Sequence, residues 1–204
     1  MRPFTKIAFL ALATILGSSN ASSAQSSSGK PPAQRQRAIP PSQQPAPDPF
    51  ANVPPAQRDD VKSIDSILFA LYDVISGPAG ERDWNRFRSL FIPSAQLTST
   101  GKAPDGAVRV HPNSVEDYVR LAGGYFLQHG FYEKPIVNRM QTFGHVSQVF
   151  SSYESRHALG EAPFARGINS IQLLNDGKRW WIVSVLWDEE RSDNPLPPEF
   201  AAKP

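Results

Sequence analysis

The chain has 204 residues, with 21 Lys and Arg, 19 Asp and Glu and no cysteine, which leaves room for one domain with a sizeable core plus extensions. The absence of cysteine excludes disulfides, thiol catalysis and zinc sites built on cysteine. Residues 59–193 carry 14 Lys and Arg against 17 Asp and Glu, a net charge of −3, so this part lacks the basic face of a nucleic-acid-binding domain.

The N-terminus has the layout of a secretory signal peptide over residues 1–24. Arg2 and Lys6 precede an apolar run at residues 7–16, and small residues up to Ala24 resemble a cleavage site. The run is too short for a membrane span. We therefore expect export to the periplasm or the exterior after cleavage near Ala24, with an uncleaved N-terminal anchor as the alternative.

The segments on either side of the expected domain are rich in proline. Residues 25–58 consist mainly of Ser, Pro, Gln and Ala, a composition that buries too little apolar surface to offset the entropy of ordering. We interpret them as a disordered linker, either a tether to the cell envelope or a leader with no role of its own. Residues 192–204 are expected to be a disordered tail, and the domain is expected at residues 59–191.

Three helices are predicted in the first half of the domain. Apolar residues at helical spacing predict a helix over residues 59–78, and a short helix capped by Asp83 follows. The third helix lies within residues 112–130, with a capping box at residues 114–117 and a kink or an end at Gly123-Gly124.

The remaining elements are predicted to be strands. Short strands are expected at residues 95–101 and 107–110. One long strand, or a strand with a bulge, covers residues 134–157, and two further strands cover residues 164–174 and 179–188. Helices followed by a long antiparallel sheet predict an α+β fold in which the helices cover one face of the sheet.

Asp176-Gly177 is the strongest turn signal, because a type I′ turn needs positive φ at both central residues. A two-residue turn there would place Trp180 on the helix-covered face with Asn169 and Ser184. On the opposite face it would place Trp181 and a stacked pair of Arg166 and Trp187. Since both faces are then largely apolar, we expect a second copy of the chain to cover the outer face.

The sequence resembles a known superfamily at three stretches: DWNRFRSLFIPSAQL (83–97), FGHVSQVFSSYESRH (143–157) and PFARGINSIQLLNDGKRWWIVSVLWDEE (163–190). They are similar to NTF2-like proteins, which include SnoaL-like polyketide cyclases, ketosteroid isomerases and scytalone dehydratase. The most similar are SnoaL-like or DUF4440-like exported bacterial proteins.

The resemblance implies an NTF2-like (cystatin-like) cone, in which helices pack on a curved antiparallel sheet around a pocket, and dimers that form sheet to sheet. It also implies an Asp or Glu, a Tyr or a His in the cone as general base or oxyanion partner. We therefore expect a domain that binds a small, mostly apolar molecule and can carry out proton-transfer chemistry. The alternative is a non-catalytic interaction module tethered in the cell envelope.

Three residues are candidates for catalysis. Glu154 and Arg156 share one strand face, where the arginine could orient the carboxylate or bind an anion; a solvated ion pair is the alternative. His145 could act as a base, or it could be structural. Asp188 could lie at the mouth of the cone, or it could belong to the charged end of its strand.

The candidate ligand-binding residues are polar groups and aromatic rings expected near the cone. Asn169 and Ser184 either satisfy each other or form the polar floor of an apolar cavity. The tyrosines can project hydroxyls into the cavity or remain core aromatics. The histidines lack metal-ligand spacing, so neither a metal nor a cofactor is predicted. The full set of ligand-binding candidates is Tyr72, Trp84, Phe87, Tyr118, Arg156, Asn169, Trp180 and Ser184.

Overall fold

The computed structural model describes residues 48–201. The predicted signal peptide and most of the predicted linker lie outside the described residues. The elements are α1 (Arg58–Val61), α2 (Ile64–Ile75), α3 (Trp84–Ser89), β1 (Phe91–Lys102), β2 (Val108–Ser114), α4 (Val115–Phe126), β3 (Tyr132–Phe143), β4 (Val146–Arg156), β5 (Ala165–Asn175), β6 (Trp180–Glu189) and a final 3-10 helix (Pro198–Phe200). None of the described helices is both long and apolar enough to cross a membrane.

Side-chain caps set where the helices begin. The first predicted helix is divided into α1 and α2, because Ser63 is extended and its hydroxyl accepts from the Ser66 amide at 3.1 Å. The predicted capping box of Ser114 and Asp117 begins α4. Helix α4 does not end at Gly123-Gly124, as one of the two expectations had it, but continues to Phe126.

The six strands form one sheet in the order β2-β1-β6-β5-β4-β3, with β1 and β6 parallel and the other neighbours antiparallel. With helices on a curved sheet, the predicted α+β fold is confirmed. The single long strand predicted at residues 134–157 is wrong. It is the hairpin β3–β4, which turns at Gly144-His145, where Gly144 has a φ of 55°.

The helices pack on one face of the sheet, which we call the inner face; the opposite side is the outer face. On β4 and β5 the inner face carries Val149, Ile171 and Leu173, each buried in the main hydrophobic cluster. Helices α2 and α3 cover these residues with side chains at helical spacing, so burial of the amphipathic helix faces supports the fold. The other large side chains of this cluster that are fully buried are Ile67, Leu68, Phe87, Leu90, Phe91 and Ile182.

The predicted register of the β5–β6 hairpin is wrong. The turn has four residues, Asp176 to Arg179, so Trp180 pairs with Asn175 rather than with Leu173. The Asp176 carboxylate accepts from the Lys178 and Arg179 amides at 2.8 Å each, and this Asx-type bonding stabilises the longer turn.

A β-bulge at Val183 then moves the rest of β6 to the other face. Beyond it Ser184 pairs with Gln172 on the outer face, and Trp187 pairs with Asn169 on the inner face. Both placements are opposite to the prediction, whereas Trp180 does lie on the inner face and Trp181 on the outer face.

The predicted stack of Arg166 on Trp187 is absent from the described residues. Arg166 instead donates to Glu190 at 2.7 Å, because the bulge leaves it on the face opposite to the Trp187 ring.

Residues from both ends of the described chain lie against the outer face. Phe50, from the predicted linker, stacks on Trp181 with ring centroids 4.7 Å apart. In the predicted tail, the Phe200 carbonyl accepts from the buried Ser152 hydroxyl at 2.7 Å, and its ring lies 6.0 Å from that of Phe150. Residues 192–201, which we expected to be disordered, therefore include a helix packed on β4, because Ser152 needs a buried partner.

We predict that Gly167→Ala destabilises the protein by about 1–3 kcal/mol. A Cβ at this position would overlap the Asp188 carbonyl oxygen and lie 2.7 Å from the Tyr153 hydroxyl. Gly101→Ala is the control, because nothing lies within 4 Å of its added Cβ. Urea unfolding should give a lower midpoint for the first variant only, and equal midpoints for the two variants would contradict the packing described here.

Candidate functional site

Glu133 is the acidic side chain held deepest on the inner face. Its position on β3 pairs with Ser155 of β4, whose hydroxyl donates to the carboxylate at 2.8 Å. The Ser76 hydroxyl at the end of α2 accepts from the Glu133 amide at 3.0 Å and donates to the Tyr72 carbonyl oxygen at 2.7 Å. Two serines therefore fix both the backbone and the carboxyl group of this residue.

The environment of the Glu133 carboxyl group favours its neutral form. Part of the residue is exposed because β3 is an edge strand, but the carboxyl group points inward. Burial raises the pKa of Glu133 to about 7, while hydrogen bonding from Ser155 and Asn169 opposes the rise and the charge of Glu189 adds to it. Among residues 48–201, no Lys or Arg forms an ion pair with Glu133.

A buried polar network lies beside Glu133. The Tyr72 hydroxyl of α2 is 2.6 Å from the Ser151 hydroxyl of β4, and it accepts from the Asn169 side-chain amide at 3.1 Å. Ser151 and Asn169 are paired across β4 and β5. Burial raises the pKa of Tyr72 well above its usual range, so its hydroxyl stays protonated and can donate a hydrogen bond.

Two further tyrosines contribute hydroxyl groups. Tyr153 of β4 is buried and its ring end lies over Gly167, which has no side chain to obstruct it. Tyr118 of α4 stacks on Phe87 with centroids 5.2 Å apart. Burial, followed by the charge of Glu133, raises the pKa of both tyrosines. Within the described residues, neither hydroxyl forms a hydrogen bond.

Aromatic side chains of α4 and β6 face the polar network from the inner side of the sheet. The inward residues Tyr118, Tyr125 and Trp187 pack against the core, yet each remains half-buried. We call the region bordered by Tyr72, Tyr118, Glu133, Asn169 and Trp187 the inner space. It is apolar and aromatic, with a few convergent polar groups, as ligand sites are.

The three predicted catalytic residues lie elsewhere. Glu154 is on the outer face, where Arg156 lies 2.5 Å and Lys134 3.1 Å from its carboxylate, and these partners lower its pKa. His145 lies in the exposed β3–β4 turn rather than within a strand, with Nδ1 2.9 Å from the Asn175 carbonyl oxygen. Asp188 is on the outer face and paired with Arg191 at 2.6 Å.

The predicted ligand-binding residues divide into three groups. Tyr72, Tyr118 and Asn169 are brought together around the inner space. Two others belong to the core, where Trp84 stacks on Phe126 at 6.1 Å and Phe87 is fully buried. The remaining three lie outside the site: Trp180, half-buried on the inner face near the β5–β6 turn, and Arg156 and Ser184 on the outer face.

Sequence reasoning missed Glu133, Tyr153 and the serines that accompany them. The alternation of hydroxyl residues at Ser151, Tyr153 and Ser155 is the signal that was available, since a strand face of small hydroxyls and one tyrosine is suited to bind polar groups. The described residues contain no group of three or more His, Cys, Asp or Glu side chains able to hold a metal ion.

We predict that Glu133 makes the protein less stable as the pH rises from about 4.5 to about 7. In this window the folded protein keeps a proton that the unfolded chain has lost, because the pKa of Glu133 is about 7 when folded. The loss should approach about 3 kcal/mol and level off above pH 7.

Denaturant unfolding between pH 4.5 and 8 tests this prediction. The stability of wild type relative to Glu133→Gln should fall with pH. Glu154→Gln is the control, because the pKa of Glu154 is lowered and its contribution is lost only below a pH of about 4.5, so its profile should run parallel to that of wild type in this range. Parallel profiles for wild type and Glu133→Gln would refute the raised pKa.

No family model matches the chain, and no curated protein is significantly similar to it. Among solved structures, a protein of unknown function with a cystatin-like fold from Nostoc punctiforme PCC 73102 has a TM-score of 0.49 and 8% identity, over 63% of this chain and 90% of that chain. An NTF2-like protein of unknown function from Silicibacter pomeroyi DSS-3 has a TM-score of 0.44 and 12% identity, over 63% and 94%.

A candidate dehydratase of the NTF2-like family from Streptomyces avermitilis has a TM-score of 0.47 and 11% identity, over 65% of this chain and 97% of that chain. These three solved structures carry NTF2-like and cystatin-like names. Identities of 8–12% concern the fold and not the activity.

Proposed function

We propose that this chain is an exported domain that binds a small, mostly apolar molecule in the inner space, where Glu133 transfers a proton. The observation that carries the proposal is an inward carboxyl group, without an ion pair among the described residues, that accepts from Ser155 beside the Tyr72–Asn169 network; burial raises its pKa to about 7. A general base is most effective when its pKa lies near the working pH.

The proposed reaction is proton transfer at a carbon next to a carbonyl group. The ionised Glu133 carboxylate takes the proton, and the electron pair of the C–H bond moves to the carbonyl oxygen. The hydroxyls of Tyr118 and Tyr153 are available to donate to that developing oxyanion. Returning the proton from Glu133 to a second carbon completes an isomerisation, so no other reactant is consumed.

The serines and Asn169 act as positioning residues in this proposal. Ser155 and Ser76 hold the base, and Asn169 holds the Tyr72 hydroxyl. A base fixed by such bonds needs little reorganisation when the reaction begins.

Hydrogen–deuterium exchange at the acidic carbon of 2-tetralone, followed by NMR in D2O, tests the activity. We expect wild type to accelerate exchange, with a rate that rises through a pH of about 7. Glu133→Gln should lower the catalysed rate at least about 100-fold, whereas the outer-face variant Glu154→Gln should not change it. Equal exchange rates for wild type and Glu133→Gln would contradict the assigned role.

Exposed side chains on the outer face support a second proposed function, interaction with another protein chain. Phe150 and Leu186 lie in one row across β4, β5 and β6 with Ser170 between them, and they are 40% and 46% exposed. Exposed apolar side chains grouped on one face are typical of interaction surfaces. We propose that a second copy of the chain covers this row in a homodimer.

Light scattering at high protein concentration tests the dimer. Wild type should have twice the chain mass, and Leu186→Glu should be monomeric because it buries a charge in the interface. Leu159→Glu is the control, since Leu159 is 78% exposed in the β4–β5 loop. A strictly monomeric wild type would overturn the dimer and the interaction function based on it.

A further inference from the structure

The charged groups that border the inner space are acidic. Glu133 borders it directly, and Glu189 faces the same side of the sheet because it pairs with Gly167 at the end of β6. Gly167 pairs with Tyr153 on its other side, so Glu189 and Tyr153 lie in one row across β4, β5 and β6 with only a glycine between them. Two basic residues share the inner face, Arg109 and His111, but they are exposed on edge strand β2, two strands beyond Trp187.

The other cations near this region are committed to partners. Lys134 and Arg156 pair with Glu154 on the outer face, and Arg191 pairs with Asp188 there. Arg166 pairs with Glu190. None of these cations forms an ion pair with Glu133 or Glu189, although the charge of Glu189 also acts on Arg191.

Arg82, at the ends of α2 and α4, is also committed. Its guanidinium donates to the carbonyl oxygens of Ile75, Gly77, Pro78 and Gly80 at 2.9–3.0 Å and lies 5.0 Å from the centre of the Phe126 ring. These bonds fix the loop after α2. They also occupy the N–H groups of the guanidinium, so Arg82 has no pair of N–H groups left to bind a ligand in the inner space.

The polar atoms around the inner space are suited to accept hydrogen bonds. Asn169 is 7% exposed, and within the described residues no donor reaches its side-chain oxygen. Tyr153 is 4% exposed, and its hydroxyl forms no bond within the same residues. Tyr118 and Trp187 add aromatic surface, and the faces of such rings attract cations.

We infer that the ligand of the inner space carries a positive charge, as an organic ammonium with an apolar or aromatic body. The inference deepens the proposed function and rests on it. An ammonium group only donates hydrogen bonds, so it complements the carboxyl groups, the Asn169 oxygen and the aromatic faces together. An anionic ligand would meet two carboxyl groups and no available cation.

The charge of the ligand is coupled to the protonation of Glu133. A bound cation stabilises the carboxylate, so it lowers the pKa of Glu133 and binds better when that group is ionised. The groups that face Glu133 are Tyr72 of α2, Tyr118 of α4, Tyr153 of β4 and Glu189 of β6. The three tyrosines remain protonated at neutral pH because their pKa values are raised, and Glu189 adds a negative charge.

Calorimetric binding of three probes to the full chain tests the inference. The probes are 2-phenylethylamine, 2-phenylethanol and phenylacetate, which share a phenyl group and differ in charge. At pH 8 we expect the amine to bind at least about tenfold more tightly than the alcohol, and phenylacetate to bind most weakly. Lowering the pH to 5.5 should reduce the affinity for the amine about tenfold and leave the affinity for the alcohol unchanged, since Glu133 then becomes neutral.

Matched variants assign the effect to particular carboxylates. Glu133→Gln should remove both the preference for the amine and its pH dependence. Glu189→Gln should reduce the affinity for the amine by a smaller factor, because Glu189 is exposed. Glu154→Gln, on the outer face, should leave all three affinities unchanged.

The outcomes separate this inference from the proposed function. If the alcohol binds as tightly as the amine at pH 8, the inference that the ligand is positively charged is wrong, but the proposal that a small molecule binds in the inner space stands. If phenylacetate binds most tightly, the inference is overturned in the same way. If none of the three probes binds at millimolar concentration, the inference and the proposed function both fail.

Discussion

The buried carboxyl group of Glu133 is the constraint on which the site depends. Removing a carboxylate from water without a counter-ion costs several kcal/mol, and a protein reduces that cost by keeping the group protonated or by surrounding it with donors. Here both occur, because Ser155 donates to the carboxyl group and its pKa rises to about 7. A carboxyl group whose pKa is near 7 is partly protonated and partly ionised at neutral pH, so it can gain or lose a proton readily. A purely structural residue does not require this property.

The surroundings of Glu133 come from elements distant in sequence. Helix α2 contributes Tyr72 and Ser76, α4 contributes Tyr118, and β4 and β5 contribute Ser151 and Asn169. The residues that form the site are therefore also residues that join helices to the sheet. Local packing thus determines where the polar groups meet.

Much of the fold could be predicted from the sequence, because its signals are local. The capping box at Ser114 and Asp117 and the α+β order of elements follow from spacing and cap chemistry. The β3–β4 turn was missed because Gly144 lies in a continuous run of strand-like residues. The faces of Ser184 and Trp187 were wrong because one bulge at Val183 inverts every residue after it.

The site itself could be predicted only in part, for a physical reason. Tyr72, Tyr118 and Asn169 were found because an aromatic or an amide in an apolar pattern is conspicuous. Glu133 lies in a mixed segment, FYEKP, and a second bulge between Pro135 and Val137 hides which face it occupies. Its burial depends on Ser155, more than 20 residues away in sequence, and no local pattern encodes that pairing.

The most direct test of this account is an NMR titration of the Glu133 side-chain carbonyl carbon in protein labelled with 13C. We expect a single transition with a pKa of about 7. We also expect that Ser155→Ala, which removes a donor to the carboxylate, moves this pKa higher. A transition near the ordinary glutamate value of about 4.3 would contradict the account, because Glu133 would then be an ordinary solvated carboxylate and the inner space would contain no base.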